Sequence, residues 1–391
     1  MPYLDHAATT PMLPEAVTAV AAALGELGNP SSLHDAGRRA RRRIEESREQ
    51  LAAAVGARPS EVIFTAGGTE ADNLAVKGLY WARRRGDARS TRVIVSAVEH
   101  HAVLDSAEWL AAEQGAELVV LPVDRYGLVD PDTLREVLAV APETAAVVSV
   151  MWANNEVGTV QPVAELAAIA HEYGVPFHTD AVQAVATLPV DFAGSDADAL
   201  SLTGHKLGGP VGTGALLVRR NVECTPTLHG GGQERDVRSG TLDVAGTIGL
   251  ATATSIAVER REATAVRLAA LRANLISGVR AAVQDVVVNG HPDRHLPGIA
   301  HLSFPGCEGD SLLMLLDARG VECSTGSACA AGVARPSHVL TAMGAGDAAA
   351  RGSLRFSLGH TSTADDVQAV VEAVGPVVER ARRAGLTSVA G

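Results

Sequence analysis

Lys206, Asp180 and Gln183 are the residues whose types and positions could do chemistry together, because each closes or follows a short apolar run. Lys206 ends DALSLTGHK and precedes the glycine-rich LGGPVGTG, so its amine should face a cleft rather than open water. A lysine amine in such a place can form a Schiff base with an aldehyde cofactor. Pyridoxal phosphate then needs a carboxylate to keep its pyridine nitrogen protonated, since that charge makes the ring an electron sink. Asp180, ending VPFHTD, has the right type and place; alone, it would read as an aspartate capping a turn.

A phosphate needs backbone N–H groups and hydroxyls, which the start of a helix supplies. Gly67-Gly68-Thr69 fits, with glycines for close backbone approach and Thr69 and Asp72 at capping-box spacing. Thr203 and His205, beside Lys206, could add donors. His100 follows RVIVSAV, where an imidazole could stack on the ring and shuttle protons; His101 competes for the role. CSTGSACAAG contains Cys323 and Cys329, and its small residues predict a mobile loop suited to a nucleophile that carries a group between sites. A buried apolar cysteine is the bland alternative, and zinc is poorly supported because C-x2-C pairs are absent; no metal site is expected. Arg355, in SLRFSLG, is a candidate clamp for a carboxylate.

These residues need a scaffold that brings strand ends together. EVIFTAG, RVIVSAV, ELVVLPV, AAVVSVMWAN, VPFHTDA, DALSLTGHK and GALLVRR read as core strands, with helical patterns such as TEADNLAVKGLYWARRR and PVAELAAIAHEYG between several of them. That alternation predicts an α/β fold whose mostly parallel seven-stranded sheet is covered by helices on both faces. Ligands of such sheets sit beyond the carboxyl ends of the strands, where the residues named above fall. One long helical stretch from about Leu250 to Val283 leads to IAHLSFPG, SLLMLLDARGVECS, SHVLTAMG and SLRFSLG, read as a smaller α+β domain. The expected division is a large domain over 16–261 and a small one from 1–15 and 262–391. LDHAATTP is expected to pack beside the first helix.

Bulk properties narrow the function classes. A chain of 391 residues with 47% hydrophobic and 20% charged side chains can build a large core and a cavity. Its formal charge of −12 disfavours nucleic acid as a partner. The run Arg38 to Arg43 precedes Glu45 and Glu46 and reads as the solvated face of a helix. No apolar run is long enough for a membrane span and the first ten residues lack a leader pattern, so a cytoplasmic protein is expected. Four cysteines in a chain this long do not make a disulfide framework.

LDHAATTP, GNPSSLH, FTAGGTEADNLA, EHHAVL, NNEVGTVQP, TDAVQ, GHK, HGGGQERDVRSGT, STGSACAAG and SLRFSLG occur in the order found in cysteine desulfurases of the class V aminotransferase fold, which the chain resembles over nearly its whole length. The resemblance implies a type I aminotransferase-like fold and a homodimer. It implies Lys206 as the Schiff-base lysine, His100 stacked on the ring, Asp180 at the pyridine nitrogen and Gln183 at the phenolic oxygen. Gly68, Thr69, Thr203, His205 and, from the other subunit, Thr241 would hold the phosphate. Asn155, also at the cofactor, would hold the substrate carboxylate with Arg355, and Cys329 would take sulfur from L-cysteine as a persulfide. An acceptor such as an iron–sulfur scaffold would receive it, because the segment from Cys329 to PSHVL has the longer length of scaffold-serving relatives.

The chain departs from the family's pattern at Thr203, often serine, at Gly68, often alanine, and at His360, where arginine often follows SLG. Selenocysteine lyases and small-molecule aminotransferases of the same fold would share Lys206 and Asp180 and differ in product. A non-catalytic sulfur or metal carrier would leave the strand-end residues unexplained.

Overall fold

The structure is a computed structural model that describes residues 1–326 and 336–388. Seven strands form one sheet: β1 (Val62–Thr65), β2 (Arg92–Ser96), β3 (Glu117–Leu121), β4 (Ala145–Ser149), β5 (Phe177–Asp180), β6 (Ala199–Thr203) and β7 (Gly214–Val218). Their order is β1-β7-β6-β5-β4-β2-β3. Pairings among β2 to β6 are parallel, and β7 runs antiparallel to both β6 and β1. The mostly parallel sheet expected from the sequence is therefore present, with the reversal confined to β7.

Burial explains the continuous apolar runs. Every residue of β1, β2, β4, β5, β6 and β7 is buried, and alternate side chains feed separate cores on the two faces. Ile94 joins the core that contains Phe177 and Leu200, whereas Val93 and Val95 join the one that contains Leu74 and Leu79 of the helix Gly68–Gly86. β3 is the exception. Expected in the core, it has a neighbour on one side only and leaves Val120 about half exposed.

A second, antiparallel sheet has the order β10-β9-β8, with β8 spanning Val287–Asn289, β9 Ile299–Ser303 and β10 Ser353–Ser357. It shares one core with the helices Arg261–Ala282, Gly309–Asp317 and Ala364–Ser388. The N-terminal segment hydrogen-bonds to this sheet: the Ser357 N–H donates to the Leu4 carbonyl at 2.7 Å, and the Leu4 N–H to that of Glu322 at 2.8 Å. Leu4 itself enters the small core. The helical stretch after Leu250 is two helices, Val244–Glu259 and Arg261–Ala282, broken at Arg260. The basic run lies on the helix Asp35–Ala54, where Arg38 and Arg39 pair with Asp35, Arg41 with Glu45 and Arg43 with Glu46, as a solvated helix face does.

One buried ion pair ties that helix to the glycine-rich segment after β7. The Arg48 guanidinium meets Glu234 at 2.7 and 2.8 Å, and Glu234 also accepts the N–H of Phe64 in β1 at 2.9 Å. Both side chains are within a tenth of full burial, so removing one partner strands the other charge. Glu234→Ala should lower unfolding stability by about 3–5 kcal/mol, read from urea denaturation, while the double change Arg48→Met with Glu234→Leu should recover most of the loss.

Candidate active site

The carboxyl ends of β1, β2, β4, β5 and β6 open on one cavity of about 380 Å³. Each strand delivers its residue by its terminus. Asp180 is the last residue of β5, and Lys206 sits in the one-turn helix Gly204–Lys206 that follows β6. Gly68 and Thr69 open the helix after β1, His100 caps the helix His101–Gln114 after β2, and Asn155 lies in the turn after β4. Gln183, Thr203, His205 and Arg355 complete the cavity wall.

Loss of water governs the charges here. Burial, with Arg355 adding to it, presses the Lys206 amine down to about 8, against the opposing pull of Asp5 and Asp180. Its Nζ donates to the carbonyls of Ala7 and Ala8. Burial raises Asp180 to about 6, even though its Oδ1 accepts the Val182 N–H at 2.8 Å and Lys206 is near. Burial also lowers His100 to about 4, so it is neutral at pH 7, and its Nδ1 accepts the Ala102 N–H at 3.1 Å. The proton of neutral His100 therefore sits on Nε2. His101, by contrast, turns to Asp105 at 2.9 Å, with half its side chain exposed.

The remaining walls suit an anionic, ring-shaped cofactor and an amino-acid carboxylate. Helix Gly68–Gly86 points its first N–H groups at the cavity, and a Cβ at Gly68 would lie 2.9 Å from Val182, so glycine keeps the backbone close. The Thr203 hydroxyl donates to the Thr213 carbonyl at 3.1 Å and must exchange that partner to serve a phosphate. Buried Arg355 donates to the Asn155 carbonyl at 3.0 Å and to Asp5 Oδ1 at 2.7 Å. Of the asparagine pair, Asn154 is structural: its Oδ1 accepts the N–H groups of Glu156 and Val157, which leaves Asn155 to face the cavity. A basic amine held near 8, the buried Asp180 carboxylate and a helix N-terminus thus fit pyridoxal phosphate.

Two expectations lie elsewhere. Thr241 is exposed and does not line this cavity, and Cys329 lies outside the described residues. Cys323 packs in the small core, where burial pushes its thiol up to about 12. The capping box between Thr69 and Asp72 is absent: the N-cap is Gly67, two residues earlier, and Glu70 accepts the Ala66 N–H. Asp72 is instead drawn into the cavity wall. Asp5, Asp72 and His338 are site residues that sequence reasoning missed. Asp5 and His338 stand within quoted motifs but are brought to the cavity region by contacts distant in sequence, Asp5 with Arg355 and His338 with the Glu99 carbonyl.

The sequence profile of the aminotransferase class-V family matches residues 2–370. The chain belongs to the class-V aminotransferases. An IscS-like cysteine desulfurase of Mycobacterium tuberculosis is 59% identical to this class-V aminotransferase over 389 residues, covering 99% of each chain. A solved NifS-like protein matches it with a TM-score of 0.89 at 32% identity, over 97% of this chain and 99% of its own. A structure of SspA in complex with cysteine matches with a TM-score of 0.79 at 34% identity, over 92% and 99%.

The raised Asp180 carboxyl makes a stability prediction for the cofactor-free protein. Its ordinary value is 3.8, so the cost of ionising it in the fold is absent below about pH 4, grows to pH 6 and is complete above. Asp180→Asn should therefore stabilise the cofactor-free protein by up to about 3 kcal/mol near pH 8 and not at pH 4. Urea denaturation at both pH values reads the difference.

Proposed function

We propose that this class-V aminotransferase is a cysteine desulfurase that uses pyridoxal phosphate to convert L-cysteine to L-alanine, with sulfur passing to Cys329 as a persulfide. The observation that carries the reading is the single cavity in which a low-pKa Lys206 amine, the Asp180 carboxylate and the Arg355 guanidinium converge. The full-length likeness to an enzyme named a cysteine desulfurase supports it.

Bound there, pyridoxal phosphate supplies an electron sink for negative charge formed at the substrate α-carbon. The chain's own groups divide the remaining tasks. Gly68 and Thr69, at the helix N-terminus, hold the phosphate with His205 and Thr203. Asp180 would keep a proton on the ring nitrogen, Gln183 would serve the phenolic oxygen and His100 would hold the ring, all three being cavity-lining residues. Arg355 and Asn155 orient the substrate carboxylate. Near pH 7 about a tenth of a lysine with a value near 8 is the neutral amine, so Lys206 can take and return the α-proton.

The Cys329 thiolate then attacks the substrate sulfur. A sulfur–sulfur bond forms, the carbon–sulfur bond breaks with its electrons left on carbon, and protonation there gives alanine. Cys224, Cys307 and Cys323 are poor rivals, because burial raises all three thiols, Cys224 and Cys323 to about 12.

The proposal extends to a cytoplasmic homodimer in which the exposed Thr241 serves the partner's phosphate site, and to an acceptor such as an iron–sulfur scaffold for the persulfide. It includes the division into a large domain, 16–261, and a small one, 1–15 with 262–391; the hydrogen bonds of Leu4 to the small sheet support it. Among the described residues, no helix is long and apolar enough to cross a membrane.

Lys206→Ala should abolish the near-visible absorbance that borohydride bleaches in the wild type. Cys329→Ala should keep that absorbance and lower alanine formation from L-cysteine by about 10³-fold or more. Undiminished alanine formation by the Cys329 variant overturns the sulfur assignment, and a colourless wild-type protein overturns the cofactor.

A further inference from the structure

The cavity holds a second carboxylate for which the reaction above has no use. Asp72, in the second turn of the helix Gly68–Gly86, lines the wall with Asp180 and is 1% exposed. Its Oδ1 has no hydrogen-bond partner among the described residues. The groups around it offer no counter-ion. From β5 come Asp180 and His178, whose Nε2 lies 3.7 Å from Asp72 Oδ1. The imidazole of His178 is locked between Ser149 of β4 and Ser201 of β6 at 2.8 and 3.0 Å, and burial keeps it neutral by lowering it to about 3.

After β2 stands Glu99, buried, with one oxygen on the Met151 N–H and the other unpartnered. The helix His101–Gln114 brings His101, which faces Asp105 instead. Lys206 acts on Asp180. Among the described residues, the Ser201 hydroxyl of β6 is the one donor that favours the ionised form, and a buried carboxylate with an unpartnered oxygen and no cation beside it is costly to hold, whereas the neutral acid is far cheaper to bury. Burial first, and the charge of Asp180 next, push the Asp72 carboxyl well above its usual range.

We propose that Asp72 is a positioning residue for the cofactor ring: kept as the neutral acid beside Asp180, it leaves one carboxylate, not two, to set the charge of the ring nitrogen and of Lys206. A second anion there would draw the Lys206 amine back toward its ordinary value and leave less of it as the free base. This role rests on the pyridoxal-phosphate reading.

Infrared spectra of the protein carrying isotopically labelled aspartate test the charge directly. Near pH 8, where Asp180 is ionised, the wild type should show the C=O stretch of a protonated aspartic acid, and Asp72→Asn should lose it. Glu99 does not carry the label. The role is tested by cofactor affinity. Asp72→Asn, neutral at every pH, should bind pyridoxal phosphate within about threefold of the wild type.

Absence of the protonated band in the wild type overturns the proposal without any variant. So does an Asp72→Asn variant whose affinity falls by about tenfold or more, since a charge was then required. A protein with no borohydride-bleached absorbance removes the cofactor reading instead, and the infrared band still decides the charge of Asp72.

Discussion

Removal of water from the strand ends is the constraint on which the rest of the site depends. It lowers the amine of Lys206, raises Asp180 and keeps His100 and His178 neutral, in each case as the largest cause. No single ion pair does this. Charges that would be unremarkable at the surface are here poised within reach of neutral pH, which is what proton transfer at a carbon acid needs.

The fold creates that dry region by geometry. Parallel strands end on the same side of the sheet, so five chain segments far apart in sequence meet there without long loops. The antiparallel β7 serves the same end, because the turn between β6 and β7 closes with the Gly204 N–H on the Thr213 carbonyl at 2.9 Å and fixes Lys206 at the rim. The small sheet supplies the remaining wall. Arg355, in the middle of β10, reaches across to the Asn155 carbonyl and is steadied by Asp5 of the N-terminal segment, so this wall of the cavity is built by parts of the chain 350 residues apart.

Desolvation also separates the cysteines. A thiol in the small core is inert because its thiolate has no water, and Cys323 is such a thiol although it is only six residues from Cys329 in sequence. Backbone direction likewise sorts Asn154 from Asn155: the first accepts N–H groups of its own turn, and the second lines the cavity.

The sequence by itself determined the seven strands, the parallel character of the sheet and the presence of Lys206, Asp180, Gly68 and Arg355 at positions suited to a cofactor and an amino acid. It could do so because a strand buried on both faces must be apolar throughout, and residues just beyond such a strand are read directly from the run's end. The edge position of β3 and the break at Arg260 were not legible, since they depend on which neighbours cover a run rather than on the run itself. Asp72 shows the limit most clearly. Its spacing from Thr69 read as a helix cap, but only tertiary packing decided that it lines the cavity beside Asp180, and burial and charge there are properties of distant segments brought together.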